Sequence, residues 1–575
     1  MRKIVAFAVA LTTCLSIISE GSANAGPLPV PSPTITNSCN GNPFDVVIYG
    51  GTPSGVAAAV TAAKRFQSTL LISADRTVGG AMSNGLSATD LWLNNTYSSF
   101  ASGFFQNVYN YYLGSSSWRF EPKVAEQIFS SLLDRSGANV LLNSTIQTVS
   151  KSNDLVHEIT VGSNTRICGH QFIDASYTGD LMKFAQVPTN LTYSDLYSYQ
   201  EPPARNRFFR TLIDTQDPET INAMDSAFEA NPYVQSVDNI PLFGDAVSQG
   251  MPSMTYRLCV TNDPDNSVSF TQSKNYDKFA PSWRFIMQAI TSSGIEARDS
   301  KTSPNGTMVT SLWRMAKIPN NKYDLNSGPY SLMNVPIPKV YFDDISKRAT
   351  IESDYRDYFS SFLYFIQHDT SVPQNEKDLL TGFGLCADEF TDNENWPYEL
   401  YVRQGRRLVG MTTLTTDDIF NTRQKKTSIA VAGYELDNKP SFFMYSNGKL
   451  VRDAAVLYRS PSYEIPYTAM LSKQGPRNLI SSVMISTSPT AFGSVRIELT
   501  FMALGEAAGL AASIANETGR TMARVPYTYV QLALEKQKTT YRITKLCKRM
   551  NSQSRTKSGF DPKTCWPNPF PLQGL

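Results

Sequence analysis

The chain has 575 residues, of which 41% are hydrophobic and 18% are charged. Its 52 Lys and Arg residues nearly balance its 50 Asp and Glu residues, and no basic block stands out, so nucleic acid is a poor candidate partner. The length exceeds that of a typical single domain, which predicts two domains that share a large core.

The N-terminus has the pattern of a cleaved export signal. Arg2 and Lys3 precede an apolar run from Ile4 to Ile18, and Ala23-Asn24-Ala25 is a small-x-small cleavage site. The apolar run is too short to span a bilayer comfortably, and no later run approaches the required length. The sequence therefore predicts a signal peptide at residues 1–25, a secreted or periplasmic protein and no membrane span.

Cysteine spacing argues against a metal or dithiol centre. There is no C-x-x-C pair, so a four-cysteine zinc site and a dithiol redox centre are both disfavoured, and no metal is predicted. An even number of cysteines in an exported chain permits disulfides, but six allow fifteen pairings and the sequence does not choose among them. Cys547 and Cys565 could bridge the C-terminal tail. The six cysteines after the signal are Cys39, Cys168, Cys259, Cys386, Cys547 and Cys565.

The segment "FDVVIYGGTPSGVAAAVTAAKRF" (44–66) predicts a strand, a glycine turn and a helix rich in small residues. The free N–H groups at such a helix N-terminus suit a pyrophosphate. Gly50 would permit the sharp turn and Gly55 the close helix–strand contact. Thr52 replaces the middle glycine of G-x-G-x-x-G, so its Cβ occupies room near the phosphates while its hydroxyl could donate to one. Alone, the pattern also fits an ordinary strand–turn–helix.

A second strand, Thr69–Ile72, follows at the distance expected for a βαβ unit. The acidic residue that usually binds the ribose is replaced by Ser73, with Asp75 two positions later. The pair Gly79-Gly80 and the segment "MSNGLSATD" (82–90) come next.

Two later segments add to this pattern. "FIDASYTGDL" (172–181) ends a predicted β-meander of three strands, namely Asn139 to Ser150, His157 to Val161 and Thr165 to Ala175. "AFGSVRIELTFMALGEAAGLAASIAN" (491–516) predicts a helix dense in Ala and Gly, which suits an approach to a flat ring. Tight core packing is the alternative explanation of that helix.

The segments and their order resemble those of the FAD-dependent oxidoreductases that open with a GGTPAG-like turn. This family belongs to the broad group of glutathione-reductase-like flavoproteins. The resemblance implies an α/β fold, a Rossmann-like FAD-binding domain with an inserted α+β substrate or cap domain. The matching segments are "VVIYGGTPSGVAAA", "VGGAMSNGLSATD", "FIDASYTGDLM", "LYVRQGRRLVG", "YEIPYTAML" and "AFGSVRIE…ALGEAAGLAA". The resemblance places the FAD-binding domain at 44–190 and 465–537 and the cap domain at 191–464. From their own composition, residues 26–43 are predicted to be a flexible leader and 538–575 a basic, Pro-containing tail.

The resemblance also implies positions around the cofactor. Ser73 or Asp75 would stand near the adenosine ribose, and the segment from Asp174 to Asp180 would close the FAD site. Relatives often have a histidine where Ser488-Pro489-Thr490 stands, so this chain must handle protons otherwise or has lost activity. The residues implied to line the pyrophosphate are Gly50, Gly51, Thr52, Pro53, Ser54 and Gly55. Those implied to border the ribitol or flavin are Gly79, Gly80 and Met82. Those implied to pass beside the isoalloxazine are Gly493, Ser494, Gly505, Ala508 and Gly509.

Several charged residues are candidates for catalysis. Arg403, Arg406 and Arg407 would share one face of a helix, where they could clamp a carboxylate or stabilise reduced flavin; a solvated helix face is the alternative. Arg496 and Glu498 could pair beside the flavin or form a structural ion pair. Asp90 could act as a base or cap a helix. The three histidines, His157, His170 and His368, are weaker candidates.

These features predict an exported FAD-dependent oxidoreductase that takes hydride from a small organic substrate. Oxygen, a quinone or another diffusible acceptor would receive the electrons, because no second glycine fingerprint for NAD(P)H is found: "GFGLCA" at Gly382 lacks the third glycine, and "GEAAG" at Gly505 lies within a helix. The alternatives are a fumarate-reductase-like reductase of a carboxylate and a flavin- or ligand-binding protein without turnover.

Overall fold

The structure is a computed structural model. Asp90, Cys547, Cys565, the signal segment 1–25, most of 26–43 and most of the tail lie outside the residues it describes. It describes residues 39, 41–89, 98–116, 118–191, 209–236, 253–293, 301–302, 306–328, 330–438, 443–453, 456–458 and 460–546.

The strands are β1 Phe44–Tyr49, β2 Thr69–Ile72, β3 Asn139–Leu141, β4 Ile146–Ser152, β5 Leu155–Val161, β6 Thr165–Asp174, β7 Thr189–Asn190, β8 Phe209–Asp214, β9 Gln235–Ser236, β10 Ser253–Met254, β11 Leu258–Thr261, β12 Ser267–Val268, β13 Lys301–Thr302, β14 Thr307–Val309, β15 Trp313–Ile318, β16 Lys322–Ser327, β17 Val335–Pro336, β18 Gly384–Cys386, β19 Arg407–Leu408, β20 Ser428–Ala432, β21 Leu436–Asn438, β22 Phe443–Ser446, β23 Lys449–Asp453, β24 Val456–Tyr458, β25 Tyr463–Pro466 and β26 Leu479–Ser481. The helices are α1 Pro53–Ala63, α2 Gly80–Ser83, α3 Ser99–Tyr111, α4 Pro122–Ser136, α5 Asp180–Phe184, α6 Pro218–Glu229, α7 Tyr276–Ser292, α8 Val340–Asp343, α9 Arg348–His368, α10 Gln374–Leu380, α11 Thr416–Phe420, α12 Pro489–Val495, α13 Glu498–Glu517 and α14 Tyr527–Lys536.

A parallel sheet forms the centre of the first domain. Its strands lie in the order β3-β2-β1-β6, and β26 pairs with the end of β6. Val46, Val47 and Ile48 of β1 are fully buried, as expected for a parallel strand covered on both faces. The predicted β1–α1–β2 unit and the Rossmann-like fold are confirmed.

The predicted meander is only partly correct. Strands β4, β5 and β6 form antiparallel neighbours, but the segment predicted as one strand from Asn139 to Ser150 is two. Its first part, β3, joins the parallel sheet beside β2, and a turn at Asn143, where φ is +51°, separates it from β4. Strand β6 then leaves the meander, because Gly169–Asp174 run parallel to β1.

Helices α1 and α13 pack against each other beneath the sheet. A Cβ at Gly505 would lie 2.0 Å from the Ser54 carbonyl oxygen, and one at Gly509 would lie 2.5 Å from the Ala58 carbonyl oxygen. Both glycines therefore face α1, and tight helix packing, the alternative named for this segment, accounts for them. The ring contact predicted for Gly505 and Gly509 is not needed to explain their small size.

The residues between β7 and β25 build the cap. A seven-stranded antiparallel sheet has the order β12-β18-β11-β16-β15-β14-β13. Helices α7 and α9 enclose an aromatic core in which Trp283 donates a 3.0 Å hydrogen bond to the Tyr358 hydroxyl. This α+β character agrees with the inserted domain; the domain boundaries stay predictions.

Two disulfides join distant segments. Cys39 is bonded to Cys168 of β6, and Cys259 of β11 is bonded to Cys386 of β18. Cys39 falls in the segment predicted to be a flexible leader, so part of that leader is attached to the sheet.

Within the described residues, helix α13 has the length and hydropathy of a membrane span. The tested window of this helix is wholly buried inside the protein. The core helix of a soluble protein passes the same test, so this is weak evidence for a span.

Candidate functional site

The glycine turn forms a cradle at the carboxyl end of β1. A Cβ at Gly50 (φ +120°) would lie 2.4 Å from the Ala175 carbonyl carbon, and one at Gly55 would lie 2.0 Å from the Gly50 carbonyl oxygen. Neither position can accept a side chain without backbone movement. Across the described residues, the amides of Gly51, Thr52 and Ser54 donate to no protein acceptor.

Thr52 is the N-cap of α1. Its hydroxyl accepts a hydrogen bond from the Gly55 amide and donates a 2.8 Å hydrogen bond to the Ala175 carbonyl. The idea that this hydroxyl donates to a phosphate is therefore wrong, because its proton is already used. Thr52 instead holds the helix start against the turn after β6.

These features fit the pyrophosphate of a dinucleotide. Free amides at a helix N-terminus, with the positive end of the helix dipole behind them, are the groups that bind a diphosphate. Pro53 occupies the first helical position, and the Ser54 hydroxyl donates to the Ser482 hydroxyl, so the amide of Ser54 is not the group that makes this contact. The cradle therefore fits FAD.

The end of β2 is organised around Ser73. The Ser73 hydroxyl accepts from the Asp75 amide and donates to the Thr77 carbonyl, and a Cβ at Gly51 would meet its oxygen at 2.5 Å. Burial, and the nearby Asp180, raise the pKa of Asp75 to about 6, while Arg348 opposes them. The ribose contact implied for Ser73 or Asp75 therefore stays a prediction.

The segment from Asp174 to Asp180 shapes the next part of the site. Asp174 accepts hydrogen bonds from Ser176 and from the Met182 amide, and burial raises its pKa to about 6. Asp180 instead forms a two-point ion pair with Arg348 of α9, at 2.7 and 2.8 Å. Asp174 therefore fixes the loop, whereas the Asp180 pair joins the loop to the cap.

Gly79, Gly80 and Met82 surround the start of α2. A Cβ at Gly80 would lie 2.6 Å from the Tyr177 hydroxyl oxygen, and the Ala81 amide donates to that same oxygen at 3.1 Å. The Tyr177 hydroxyl in turn donates a 2.9 Å hydrogen bond to Oε1 of Glu498. The structure thus brings together the segments that the resemblance implied for the flavin.

Glu498 is a buried carboxyl with one unused oxygen. Its exposed fraction is 5%, and its Oε2 has no hydrogen-bond partner within the described part of the chain. Burial raises its pKa to about 8, although the Tyr177 hydrogen bond lowers it. A second carboxyl, Glu399, accepts a hydrogen bond from the Asn84 amide. Burial is the main cause that raises the pKa of Glu399 well above its usual value, and the charge of Asp75 is the next.

Glu498 does not pair with Arg496, and that prediction is wrong. Arg496 forms a 2.7 Å ion pair with Asp437 and donates a 3.0 Å hydrogen bond to the Tyr401 hydroxyl. Because Arg496 precedes α13 and Glu498 begins it, the two side chains, two positions apart, do not face each other.

The three arginines of "VRQGRRL" are not on a helix. Residues 402–406 have no regular structure, and Arg407 begins β19. Gly405 interrupts the segment because a Cβ there would lie 2.3 Å from the Tyr177 carbonyl oxygen. All three guanidinium groups are buried, so the solvated helix face is excluded as well.

The arginines have different surroundings. Arg406 forms an ion pair with Asp343 at 2.8 Å, and Arg407 donates a hydrogen bond to the Thr487 carbonyl. Arg403 donates through Nη1 to the Ser253 carbonyl at 2.7 Å, and its Nη2 has no partner among the described residues.

The remaining candidates lie in structural positions. Gly493 and Ser494 are buried in α12, where the Ser494 hydroxyl donates to Tyr434 and accepts from the Tyr463 hydroxyl. His368, at the end of α9, is exposed and stacks on Tyr364. Asp90 lies outside the described residues.

Sequence reasoning missed Tyr177, Glu399 and Tyr401. Tyr177 lies inside the quoted "FIDASYTGDL" and Tyr401 lies inside "YVRQGRRL", so both segments were recognised while their aromatic residues were not weighed. Glu399 lies in the longer segment "YELYVRQGRRLVG", two positions before Tyr401, but its contact with Asn84, which is distant in sequence, could not be read from it.

A buried acidic group lies outside this site. Glu121, Asp388 and Glu389 have the arrangement of a metal site, but Lys322 Nζ lies 2.5, 2.6 and 3.0 Å from their oxygens. The ammonium group therefore occupies the centre of this cluster.

Comparison with known proteins gives a family match over most of the chain. The family model described as FAD-dependent oxidoreductase matches residues 45–534. No curated protein matches.

The chain also resembles solved flavoprotein structures. A flavin-dependent brominase is 9% identical over 86% of this chain and 84% of its own, with a TM-score of 0.31. Thioredoxin reductase from Giardia duodenalis is 13% identical over 24% of this chain and 40% of its own, with a TM-score of 0.17. The amino acid oxidase NikD is 13% identical over 26% of this chain and 56% of its own, with a TM-score of 0.20. At these TM-scores the likenesses support no inference about activity.

Proposed function

Because this chain belongs to the family of FAD-dependent oxidoreductases, we propose that it is an exported enzyme that oxidises a small organic substrate. The substrate gives a hydride to the flavin, and oxygen, a quinone or another diffusible acceptor receives the electrons. The N-terminal signal pattern supports export, and the absence of a second nucleotide fingerprint in the sequence supports a diffusible acceptor over NAD(P)H.

The observation that carries the proposal is the pair formed by Tyr177 and Glu498. Catalysis needs a group that handles protons, and the expected histidine is replaced by Ser488-Pro489-Thr490. Glu498 supplies such a group, because its buried Oε2 has no partner among the residues that the structure describes and burial raises its pKa to about 8, near neutrality. This argues against the alternative of a flavin-binding protein without turnover.

Oxidation of an alcohol or amine carbon removes a hydride from C–H and a proton from O–H or N–H. FAD, when bound, supplies the acceptor for the hydride. Glu498 accepts the proton at Oε2, and Tyr177 holds the carboxylate in position through Oε1.

Other residues orient and enclose the reactants. The free amides of the α1 cradle bind the diphosphate, and the ion pair between Asp180 and Arg348 attaches the cap to the cofactor loop. A cap held on the loop by this pair would keep water away from the reacting groups.

A reductase acting on a carboxylate is the second candidate. Glu498 is mainly protonated at pH 7 if its pKa is about 8, and a protonated carboxyl suits a step that donates a proton to substrate. The direction of the pH dependence separates the two candidates, because oxidation needs the ionised form and reduction needs the protonated form.

The test is an absorption spectrum of the purified protein, followed by anaerobic mixing with candidate alcohols, amines and organic acids. We expect about one FAD per chain and bleaching by at least one class of substrate. A protein that stays colourless after reconstitution with FAD would contradict the proposal.

A further inference from the structure

Three buried or nearly buried arginines surround one tyrosine of the cap. The guanidinium carbons of Arg257 and Arg403 lie 5.9 and 5.2 Å from the centre of the Tyr401 ring. Arg496 reaches the Tyr401 hydroxyl at 3.0 Å. Tyr401 itself is only half-buried, so this tyrosine-centred arginine cluster has an open side.

Within the described residues, carboxylates pair with two of the three arginines and none pairs with Arg403. Asp324 binds Arg257 through both of its oxygens, and Asp437 binds Arg496. Arg403 has no carboxylate partner within the described residues.

Arg403 is nevertheless deeply buried. Its exposed fraction is 4%, Nη1 donates to the Ser253 carbonyl, and Nη2 has no acceptor in the described part of the chain. Burial lowers its pKa to about 10; Tyr401 and Asp437 oppose this change, whereas Arg496 and Arg257 add to it. An unpaired buried cation destabilises a fold unless another group pairs with it.

The cluster is close to the pair proposed to handle protons. Arg496 lies two residues before Glu498, and Gly405, two residues after Arg403, packs directly on the Tyr177 carbonyl. Ser253 of β10, which accepts from Arg403 Nη1, lies in the segment predicted to form the cap, whereas Gly405 contacts the loop after β6.

We propose that Arg403 binds a carboxylate of the substrate, which makes the substrate an organic acid. A guanidinium whose Nη2 has no partner among the described residues suits a carboxylate, which forms a strong charge-assisted hydrogen bond with it. Arg403 would fix the acid group while the carbon to be oxidised lies toward Glu498. The inference rests on the proposed function for its placement, but carboxylate binding is measurable without turnover.

The experiment compares acids with their matched amides on the purified full-length protein. Acetate, benzoate and succinate are titrated against acetamide, benzamide and succinamide, and phosphate is included. Thermal melting is followed for every sample, and the flavin absorption spectrum is followed for protein that holds flavin. We expect saturable responses to at least one acid and none to its amide.

Two variants assign the response to one side chain. Arg403→Met removes the charge and is expected to weaken acid binding roughly 10- to 100-fold, the range for a lost hydrogen bond between charged groups. Because it also removes an unpaired buried cation, it is expected to melt no lower than wild type without ligand. Arg284→Met is the control, since Arg284 is a cap arginine with its own partner, Asp369, and it should bind acids as wild type does.

The outcomes separate this inference from the proposed function. Equal acid binding by wild type and Arg403→Met, equal responses to acids and amides, no response to any acid, or tighter binding of phosphate would each overturn it. Loss of flavin from Arg403→Met alone would place Arg403 in the cofactor site and also overturn it. Wild type without flavin would contradict the proposed function, while the melting arm would still test the acid site.

Discussion

The Tyr177 hydroxyl donates a 2.9 Å hydrogen bond to Glu498, although 321 positions separate the two residues in the chain. The bond joins the turn after β6 to the start of α13. It therefore connects the two sequence segments that the resemblance assigned to one FAD-binding domain.

Glu498→Gln tests the proposed proton acceptor. The amide keeps the shape and the Tyr177 contact but accepts no proton, so we expect flavin retention with turnover lowered roughly 100-fold or more. Stopped-flow measurement of anaerobic flavin reduction by substrate checks this. A variant with the wild-type reduction rate would remove Glu498 from the mechanism.

The rate of substrate oxidation is expected to rise with pH. Because burial raises the pKa of Glu498 to about 8, the carboxyl ionises as pH rises through that value, and the rate of substrate oxidation should rise with it and then level off. Tyr177→Phe removes a hydrogen bond that favours the ionised form, so the midpoint should move to higher pH. A rate that falls above pH 8 would favour the reductase instead.

Gly55→Ala tests the cradle. The added Cβ would lie 2.0 Å from the Gly50 carbonyl oxygen, so the turn must open and we expect loss of bound flavin. Gly103→Ala is the control, because a Cβ there has no atom within 4 Å. Flavin content per chain, from the absorption spectrum, is the measurement, and full retention in Gly55→Ala would count against the cradle.

Lys322→Met tests the buried acidic cluster. Removing the ammonium takes away the buried partner of Glu121, Asp388 and Glu389 and leaves them only the more exposed Lys123. We expect a loss of about 3–5 kcal/mol in the free energy of unfolding. The loss should shrink as pH falls, because the carboxyls then protonate. Lys123→Met, a more exposed neighbour, should cost about 1 kcal/mol or less. Urea unfolding at pH 5 and pH 8 measures both.

NADH and NADPH are not expected to reduce the bound flavin at a useful rate. The chain shows no second glycine fingerprint after a second strand. Anaerobic mixing with each nucleotide checks this, and rapid bleaching at micromolar NADH would contradict both the choice of acceptor and the case for export.

Local patterns predicted the elements whose contacts are near in sequence. The run from Phe44 to Arg65 combined β-formers, glycines and small helix residues, and the strand, turn and helix are where these predict them. The helix predicted from Arg403 to Arg407 is wrong. The arginines have helical spacing, but Gly405 packs against the Tyr177 carbonyl and the backbone there is irregular.

Contacts between residues that are distant in sequence could not be predicted from local patterns. Arg496 pairs with Asp437, which is 59 positions away, and no spacing rule connects them. Thr52 was recognised as unusual, but its bond to the Ala175 carbonyl, 123 positions away, depends on the parallel pairing of β1 with β6. The two disulfides join cysteines that are 129 and 127 positions apart in sequence. Their pairing likewise depends on the sheets and not on the spacing of the cysteines.

The contact between α1 and α13 sets an order of events during synthesis. Ser54, at the start of α1, bonds to Ser482, which is 428 positions later, and Gly505 packs on the Ser54 carbonyl beyond that. At roughly 5–20 residues per second, the ribosome needs on the order of a minute to supply the later partners. Until then the nascent chain exposes the apolar face of α1, and the cradle is incomplete. FAD capture is therefore a late event that waits for nearly the whole polypeptide.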